Sequence, residues 1–241
     1  MEKIFLQLYS VRDEMQKDFG GTLKKVADMG FHGVEFAGFF GYDAAYVRTA
    51  LNSLGLASAG STYGFLDFEN NLEEIIAYNK ILGNQNITCG ITSSDFIPGD
   101  YPRYTAILAK AAESFAQAGM RLYYHNHAHE FTLLSNGKRV YDVMLEPLEG
   151  AIGNQFDIYW LYRAGVDVVE YFEKYRTTLG LLHIKDGDEN GGLPIGAGKV
   201  DIKKAFDYAV SLGVDSFVLE DESDGDQFNA VKICLDYFLA L

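Results

Sequence analysis

Residues 102–126, PRYTAILAKAAESFAQAGMRLYYHN, contain the unit whose repetition decides the fold. The pattern predicts a long helix from Pro102 to Ala118, a helix stop at Gly119 and a strand from Arg121 to Asn126. A helix followed by a short apolar strand is one step of an alternating α/β fold. The number of such units along the chain then distinguishes between the α/β folds.

The same alternation continues on both sides of this unit. The first segment, residues 4–9, is short and nearly continuously apolar, which is typical of a strand buried on both faces of a parallel sheet. Further strands are predicted at residues 33–37, 56–61, 87–90, 153–157, 181–185 and 216–219, and further helices at 19–29, 43–54, 72–82, 140–148, 166–175, 202–212 and 228–239. With the central unit they make eight strand and helix pairs.

Eight such pairs in 241 residues predict a single α/β domain over residues 1–241, a (β/α)8 TIM barrel. The average of about thirty residues per pair fits a βα unit, and the length is close to the roughly 250 residues of such barrels. A doubly wound open sheet is the competing fold. It usually carries G-x-G-x-x-G after the first strand, whereas residues 10–13 read SVRD.

Composition and charge exclude several classes of function. The chain has Lys+Arg 20 against Asp+Glu 34, a formal net charge of −14, and no long basic run, so no nucleic-acid partner is expected. Cys89 and Cys234 are too far apart in sequence to suggest a metal knuckle or redox pair. The sequence shows neither a signal peptide nor a membrane span, and we expect a cytoplasmic protein with no membrane partner.

Polar residues are concentrated where the predicted strands end, which is the catalytic end of such a barrel. They comprise Gln7, Tyr9, Glu35, His125, His127, Asp157, His183, Lys185 and Glu220, with His129 and Glu130 just beyond strand five. Asp157, His183 and Glu220 each border apolar residues, so their burial would be costly without a neutralising partner. Their position at neighbouring strand ends predicts a divalent cation.

Other polar and aromatic residues near these ends have plainer alternatives. Asp186, Asp221 and Glu222 are each more simply explained as structural or solvated carboxylates. Trp160 is either a core aromatic or an apolar wall for a sugar face. Lys185 is either the ion-pair partner of Asp186 or a cation for a substrate oxyanion.

In this order, the segments resemble the sugar phosphate isomerase/epimerase branch of the xylose-isomerase-like TIM-barrel superfamily. The resemblance covers nearly the whole chain. It rests on residues 7–12 (QLYSVR), 33–35 (GVE), 124–127 (YHNH) with Glu130-Phe131, 157–160 (DIYW), 183–186 (HIKD), 196–201 (GAGKVD) and Glu220.

The resemblance implies one divalent metal ion, commonly Mn, Mg, Co or Zn, held by residues at the ends of strands five to eight. On this chain those positions are His125, Asp157, His183 and Glu220. The sequence departs from the related ketose 3-epimerases at two of its positions. His125 replaces a glutamate that both binds metal and moves a proton, and Trp160 replaces the histidine of an Asp-x-x-His motif.

The resulting expectation is a sugar or sugar phosphate isomerase/epimerase that works through an enediolate. Glu220 is expected to act as a base, and His125 or Glu130 as the second proton-transfer group. The expected contacts to the sugar come from Gln7, Tyr9, Glu35, His127, Trp160 and Lys185.

Two alternatives stay open at this stage, and a third is disfavoured. A keto-sugar or keto-inositol dehydratase would use the same site, and a catalytically silent sugar-binding barrel would keep the fold alone. An endonuclease IV-like enzyme would need more histidines and a basic face than five histidines and a charge of −14 supply.

The sequence leaves the choice of sugar open. The 196–198 loop (GAG) with Lys199 is a candidate phosphate site, but the acidic residues after strand eight favour a neutral sugar. The oligomeric state is also left open by the sequence, and a homo-oligomer is one alternative.

Overall fold

The computed structural model describes residues 2–241, and in it eight parallel strands close into a barrel. The described chain has ten strands in all, which are β1 (Lys3–Gln7), β2 (Gly33–Phe36), β3 (Ala57–Gly64), β4 (Asn86–Gly90), β5 (Arg121–His125), β6 (Ile152–Asp157), β7 (Leu179–Ile184), β8 (Asp186–Gly187), β9 (Gly192–Leu193) and β10 (Ser216–Leu219). β8 and β9 form a small separate hairpin, and β10 closes the barrel between β7 and β1. The predicted TIM barrel is confirmed.

Helices surround the barrel and fill the connections. They are α1 (Arg12–Lys17), α2 (Phe19–Met29), α3 (Ala44–Leu54), α4 (Phe65–Asn70), α5 (Leu72–Leu82), α6 (Tyr101–Gln117), α7 (Val140–Leu145), α8 (Ile158–Arg163), α9 (Val168–Lys174), α10 (Ile202–Ser211) and α11 (Gln227–Leu239). None of the helices in the described part of the chain is long and apolar enough to cross a membrane.

The main helices begin and end where the residue chemistry predicts. Asp43 caps α3 by accepting a hydrogen bond from the Tyr46 N–H at 2.9 Å, and Gly55 ends it in the left-handed conformation (φ 69°). The central helix runs over Tyr101–Gln117, within one residue of the prediction at each end. Burial of apolar helix faces against the strands then forms one core around the barrel.

The structure differs from the sequence prediction mainly beside the catalytic end. The first strand stops at Gln7, and Tyr9 lies in a 3-10 turn over Leu8–Val11. The short helices α1, α4 and α8 have no predicted counterpart, and Trp160 lies on α8. Each of the three short helices spans only six residues, too few for a helical periodicity to show in the sequence.

Candidate active site

Four titratable side chains meet at the carboxyl end of four consecutive barrel strands. His125 ends β5, Asp157 ends β6, His183 lies in β7 and Glu220 directly follows β10. One donor atom of each lies within 4.8 Å of the others, and all four residues are buried. The parallel register brings them together, since Asp157 pairs with His183 and the Glu220 N–H donates to the Ile184 carbonyl.

The two oxygens of the Asp157 carboxylate have different surroundings. Its Oδ1 accepts hydrogen bonds from the N–H groups of Tyr159 at 2.9 Å and Trp160 at 3.2 Å, which caps α8. Its Oδ2 is buried and has no hydrogen-bond partner among residues 2–241. Burial raises the pKa of Asp157 to about 6. A buried oxygen without a partner is costly, and a cation would satisfy it.

The buried amide of Gln155 determines which nitrogen of His125 carries the proton. Gln155 donates from Nε2 to Glu35 Oε2 at 2.7 Å, which leaves its Oε1 as the acceptor that faces His125 Nδ1 at 3.2 Å. His125 Nδ1 therefore carries the proton, and the free electron pair of Nε2 faces Asp157 Oδ2 at 3.9 Å. Burial and the neighbouring imidazoles lower the pKa of His125 well below its usual range, so it is neutral, as a metal ligand must be.

His183 lies between two carboxylates. Its Nδ1 is 2.8 Å from Glu220 Oε2, and its Nε2 is 3.2 Å from Glu35 Oε1. Burial alone would lower the pKa of His183, but the two carboxylates outweigh it and raise the pKa to about 10. Without a cation the ring is therefore an imidazolium at neutral pH.

Lys185 pairs with Glu220 and Glu222, and the alternative pairing with Asp186 is wrong. Its Nζ lies 3.0 Å from Glu220 Oε1 and 2.8 Å from Glu222 Oε2, and 4.9 Å above the Trp160 ring. Burial by itself would raise the pKa of Glu220, but Lys185 and His183 hold it well below its usual range. Glu220 is therefore a carboxylate with positive charge on both sides.

The four-residue cluster opens into a cavity of about 390 Å³ at the barrel mouth. The cavity is lined by Gln7, Tyr9, Ala37, Thr62, Tyr63, Gly64, Gly90, Thr92, His125, His127, His183, Glu220 and Glu222. Six residues expected at the site are among them: Gln7, Tyr9, His125, His127, His183 and Glu220. Asp157 lies beneath the wall, as the 0% exposure of its side chain shows.

Four other expected residues lie behind the cavity wall. Glu35 is fully buried and accepts hydrogen bonds from Gln7, Thr62 and Gln155. Glu130 is also fully buried and accepts from the Tyr124 hydroxyl and the His127 N–H. Lys185 and Trp160 stack beside the cluster without lining the cavity.

Sequence reasoning missed several residues that shape the site. Gln155 orients His125, Thr62 binds Glu35, and Glu222 lines the cavity although it was expected to be inert. The available signal for Gln155 was its position two residues before Asp157, which puts both side chains on the same side of the strand. Glu222 gave no such signal because it follows the strand in an acidic loop.

The loop after β7 is built around Asp186 rather than around a ligand. Asp186 Oδ2 accepts hydrogen bonds from the N–H groups of Gly196 and Gly198, each at 2.9 Å, and Oδ1 from Gly187 and Val200. Lys199 is occupied by Glu189 at 2.6 Å. The amides considered for a phosphate are therefore already used by a carboxylate of the chain itself.

Comparison with known proteins agrees with this architecture. The sequence model of the xylose isomerase-like TIM barrel matches residues 23–236. The chain belongs to the xylose isomerase-like TIM barrel family. No curated protein matches the sequence significantly.

Several solved structures of this family fold are similar over almost the whole chain. A sugar phosphate isomerase/epimerase from Parabacteroides distasonis has a TM-score of 0.86 and 21% identity, covering 99% of this chain and 94% of that one. A 3-keto-D-glucoside 4-epimerase from E. coli has a TM-score of 0.74 and 17% identity, with 100% of both chains covered. A probable 3-DHS dehydratase from Bacillus anthracis has a TM-score of 0.76 and 15% identity, with 98% of both covered. At these identities the similarity establishes the fold.

Proposed function

We propose that this protein is a metal-dependent isomerase or epimerase of a small sugar or sugar derivative, acting through an enediolate. The observation that carries the proposal is the unpartnered, buried Asp157 Oδ2 inside a cluster of two imidazoles and two carboxylates at the barrel mouth. The similar structures include two sugar isomerases or epimerases, which supports the reaction class.

The donor set fits a divalent transition metal. His125, Asp157, His183 and Glu220 would hold one ion such as Mn, Co or Zn, with Mg as the oxygen-preferring alternative. When bound, such an ion stabilises negative charge on substrate oxygens and acidifies the neighbouring C–H bond.

The protein groups at the cavity then have separate tasks. Glu220 is ionised and lines the cavity, so it is the proposed base for the C–H proton. Of the two groups expected for the second proton transfer, His125 is proposed here as a metal ligand, because its Nδ1–H binds Gln155 and its Nε2 faces Asp157 Oδ2. Glu130 supports that side of the site by accepting the hydrogen bond of the His127 backbone N–H. Gln7, Tyr9 and His127 are proposed to bind sugar hydroxyls, while Glu35, Lys185 and Trp160 orient these groups from behind.

A dehydratase is the second candidate, favoured by one specific feature. Strand five supplies a neutral imidazole, His125, where a two-carboxylate epimerase would have a carboxylate. The site then keeps one ionised carboxylate base at the cavity, Glu220, which suffices for an elimination because only one C–H proton is removed, whereas an epimerisation also needs a group that returns a proton to the opposite face. The probable dehydratase among the similar structures has the same overall fold.

The test combines metal content with product mass. Purified wild type is compared with an Asp157→Ala/His183→Ala variant by elemental analysis, and metal-loaded wild type is then incubated with ketoses and keto-inositols. We expect the variant to lose the one equivalent of metal that the four residues hold in wild type. We also expect the product formed by metal-loaded wild type to have the same mass as the substrate. Loss of one water from the product would establish the dehydratase instead. Full metal retention in the double variant would overturn the site, and sugar binding without metal or turnover would leave a silent sugar-binding barrel.

A further inference from the structure

A second group of metal-ligating side chains follows β5 directly. His127, His129 and Glu130 each place one donor atom within 4.8 Å of the others, and none of them belongs to the four-residue cluster. Glu130 is completely buried, and the two histidines are partly buried. The group therefore needs its own explanation.

The two separations between the carboxylate oxygen and the imidazole nitrogens are close to those between metal ligands and longer than most hydrogen bonds. Glu130 Oε1 lies 3.7 Å from His127 Nδ1 and 3.4 Å from His129 Nε2. Glu130 Oε1 also accepts a hydrogen bond from the Tyr124 hydroxyl at 2.8 Å, and Oε2 accepts one from the His127 backbone N–H at 2.8 Å. Neither hydrogen bond comes from an imidazole. Ligands about 2.0–2.2 Å from a tetrahedral Zn²⁺ are separated from each other by about 3.3–3.6 Å.

One of the nitrogens has no other role in the described chain. His127 Nδ1 is buried and has no hydrogen-bond partner among residues 2–241, an arrangement that is costly without a ligand. The rings of His127 and His129 are stacked almost parallel, 5.3 Å apart at 9°, so both present a nitrogen to the same oxygen of Glu130. His129 Nε2 also lies 3.0 Å from the Ile91 carbonyl oxygen, a contact that a cation would replace.

We propose that His127, His129 and Glu130 form a second divalent-metal site, distinct from the four-residue cluster. Two imidazole nitrogens and one carboxylate oxygen suit Zn²⁺, with Co²⁺ as its spectroscopic substitute, and do not suit Mg²⁺ or Ca²⁺, which prefer oxygen ligands. The buried Glu130 carboxylate supplies the negative charge that attracts the cation. The proposal does not depend on the reaction proposed above.

The test counts metal equivalents in chelator-treated protein. Wild type, His129→Gln and Asp157→Ala are titrated with Zn²⁺ against a chromophoric chelator, and with Co²⁺ while the visible absorption is followed. His129 is the chosen position because it does not line the cavity. We expect about two equivalents in wild type and about one in each variant, with the tetrahedral Co²⁺ bands reduced in His129→Gln.

Two controls separate loss of a ligand from loss of structure. His129→Phe keeps the packing on Phe96, whose ring centroid lies 4.6 Å away, while it removes the nitrogen. His32→Gln changes a histidine that accepts a hydrogen bond from the Ile4 N–H, outside both groups, and should keep both equivalents. A single equivalent in wild type that both His129 variants retain would overturn the proposal, as would two equivalents in both His129 variants with native circular dichroism. A single equivalent that both His129 variants lose would support the proposal and count against the four-residue cluster instead.

Discussion

At the scale of one residue, Asp157 stabilises the fold with one oxygen and destabilises it with the other. Its Oδ1 caps α8, while its Oδ2 is buried without a partner among the described residues. Burial raises its pKa to about 6, against roughly 3.9 in an unfolded chain. Between these two values the folded state binds a proton that the unfolded state does not. The stability cost is therefore absent below the lower value and complete above the higher one.

We predict that Asp157→Asn stabilises the metal-free protein at pH 8. Asparagine keeps the capping oxygen and removes the buried charge, so the free energy of unfolding should rise by about 2–3 kcal/mol, from about 1.4 kcal/mol per pKa unit. At pH 5 the gain should fall to about half. Chemical denaturation of both metal-free proteins at the two pH values measures this.

Asp167 provides the matched control for this prediction. It caps α9 through the Val169 and Glu170 N–H groups, but it is exposed and pairs with Lys204 at 2.8 Å. Asp167→Asn should therefore give no gain at pH 8. Equal stability of wild type and Asp157→Asn at pH 8 would contradict the electrostatic account of Asp157.

The protonation of His183 predicts a pH dependence of metal binding. Its pKa of about 10 means that the ring carries two protons at pH 7, and one must leave before the ring can coordinate a cation. We expect metal affinity at the four-residue cluster to increase about tenfold per pH unit between pH 6 and 8. Calorimetry of His129→Gln in buffers of different ionisation enthalpy measures the released proton. Identical heats of metal binding in all buffers would show that no proton is released and would contradict the prediction.

The individual site residues differ in how far the sequence predicts them. His125, Asp157, His183 and Glu220 are predictable because each is a polar residue at the end of an apolar strand, and parallel strands end at one side of a barrel. Gln155 and Thr62 are not, because their roles depend on which side chain lies beside them on the neighbouring strand.

At the scale of elements, the loop between β7 and α10 is organised by one carboxylate. Asp186 is buried and accepts four backbone N–H bonds, including those of Gly196 and Gly198. Gly198 has to be glycine because a Cβ there would lie 2.1 Å from Asp186 Oδ1. The loop conformation and this aspartate therefore require each other.

We predict that Asp186→Asn lowers the free energy of unfolding by about 2–3 kcal/mol, because one acceptor oxygen is lost and partly buried N–H groups of the loop are left without partners. Asp188→Asn, at an exposed position in the same loop, should change it by less than about 0.5 kcal/mol. Denaturation curves and hydrogen exchange over residues 192–200 measure both effects. Unchanged amide protection in Asp186→Asn would contradict this structural role.

The elements themselves were predictable where a long periodic pattern exists. The eight barrel strands and the principal helices follow from apolar runs bounded by glycine and capping aspartate, as for α3. The short helix α8 was not predictable, because it exists through the Asp157 cap at the end of β6.

At the scale of the whole molecule, charge predicts the substrate type. The net charge is −14, Glu220 and Glu222 line the cavity, and no lysine or arginine appears among the residues that line it. Lys185 is neutralised by two carboxylates. A phosphate dianion therefore meets repulsion at long range and finds no lysine or arginine among the described residues that line the cavity.

We predict that the Mn²⁺-loaded protein binds an unphosphorylated ketose at least about tenfold more tightly than its phosphate ester at low salt. D-fructose with D-fructose 6-phosphate, and D-ribulose with D-ribulose 5-phosphate, are suitable pairs for calorimetry. The difference should shrink as salt screens the charge. Tighter binding of both phosphate esters at low salt would contradict the prediction.

The sequence by itself determined the barrel and the strand ends at which the four-residue cluster lies, because apolar period, glycine stops and polar strand ends are local properties of the chain. Only the tertiary structure decided which side chains meet. It placed Glu35 and Glu130 behind the cavity wall, Lys185 between Glu220 and Glu222, and Asp186 inside its own loop. These contacts join residues far apart in sequence, so they follow from barrel closure and register, which no local pattern encodes.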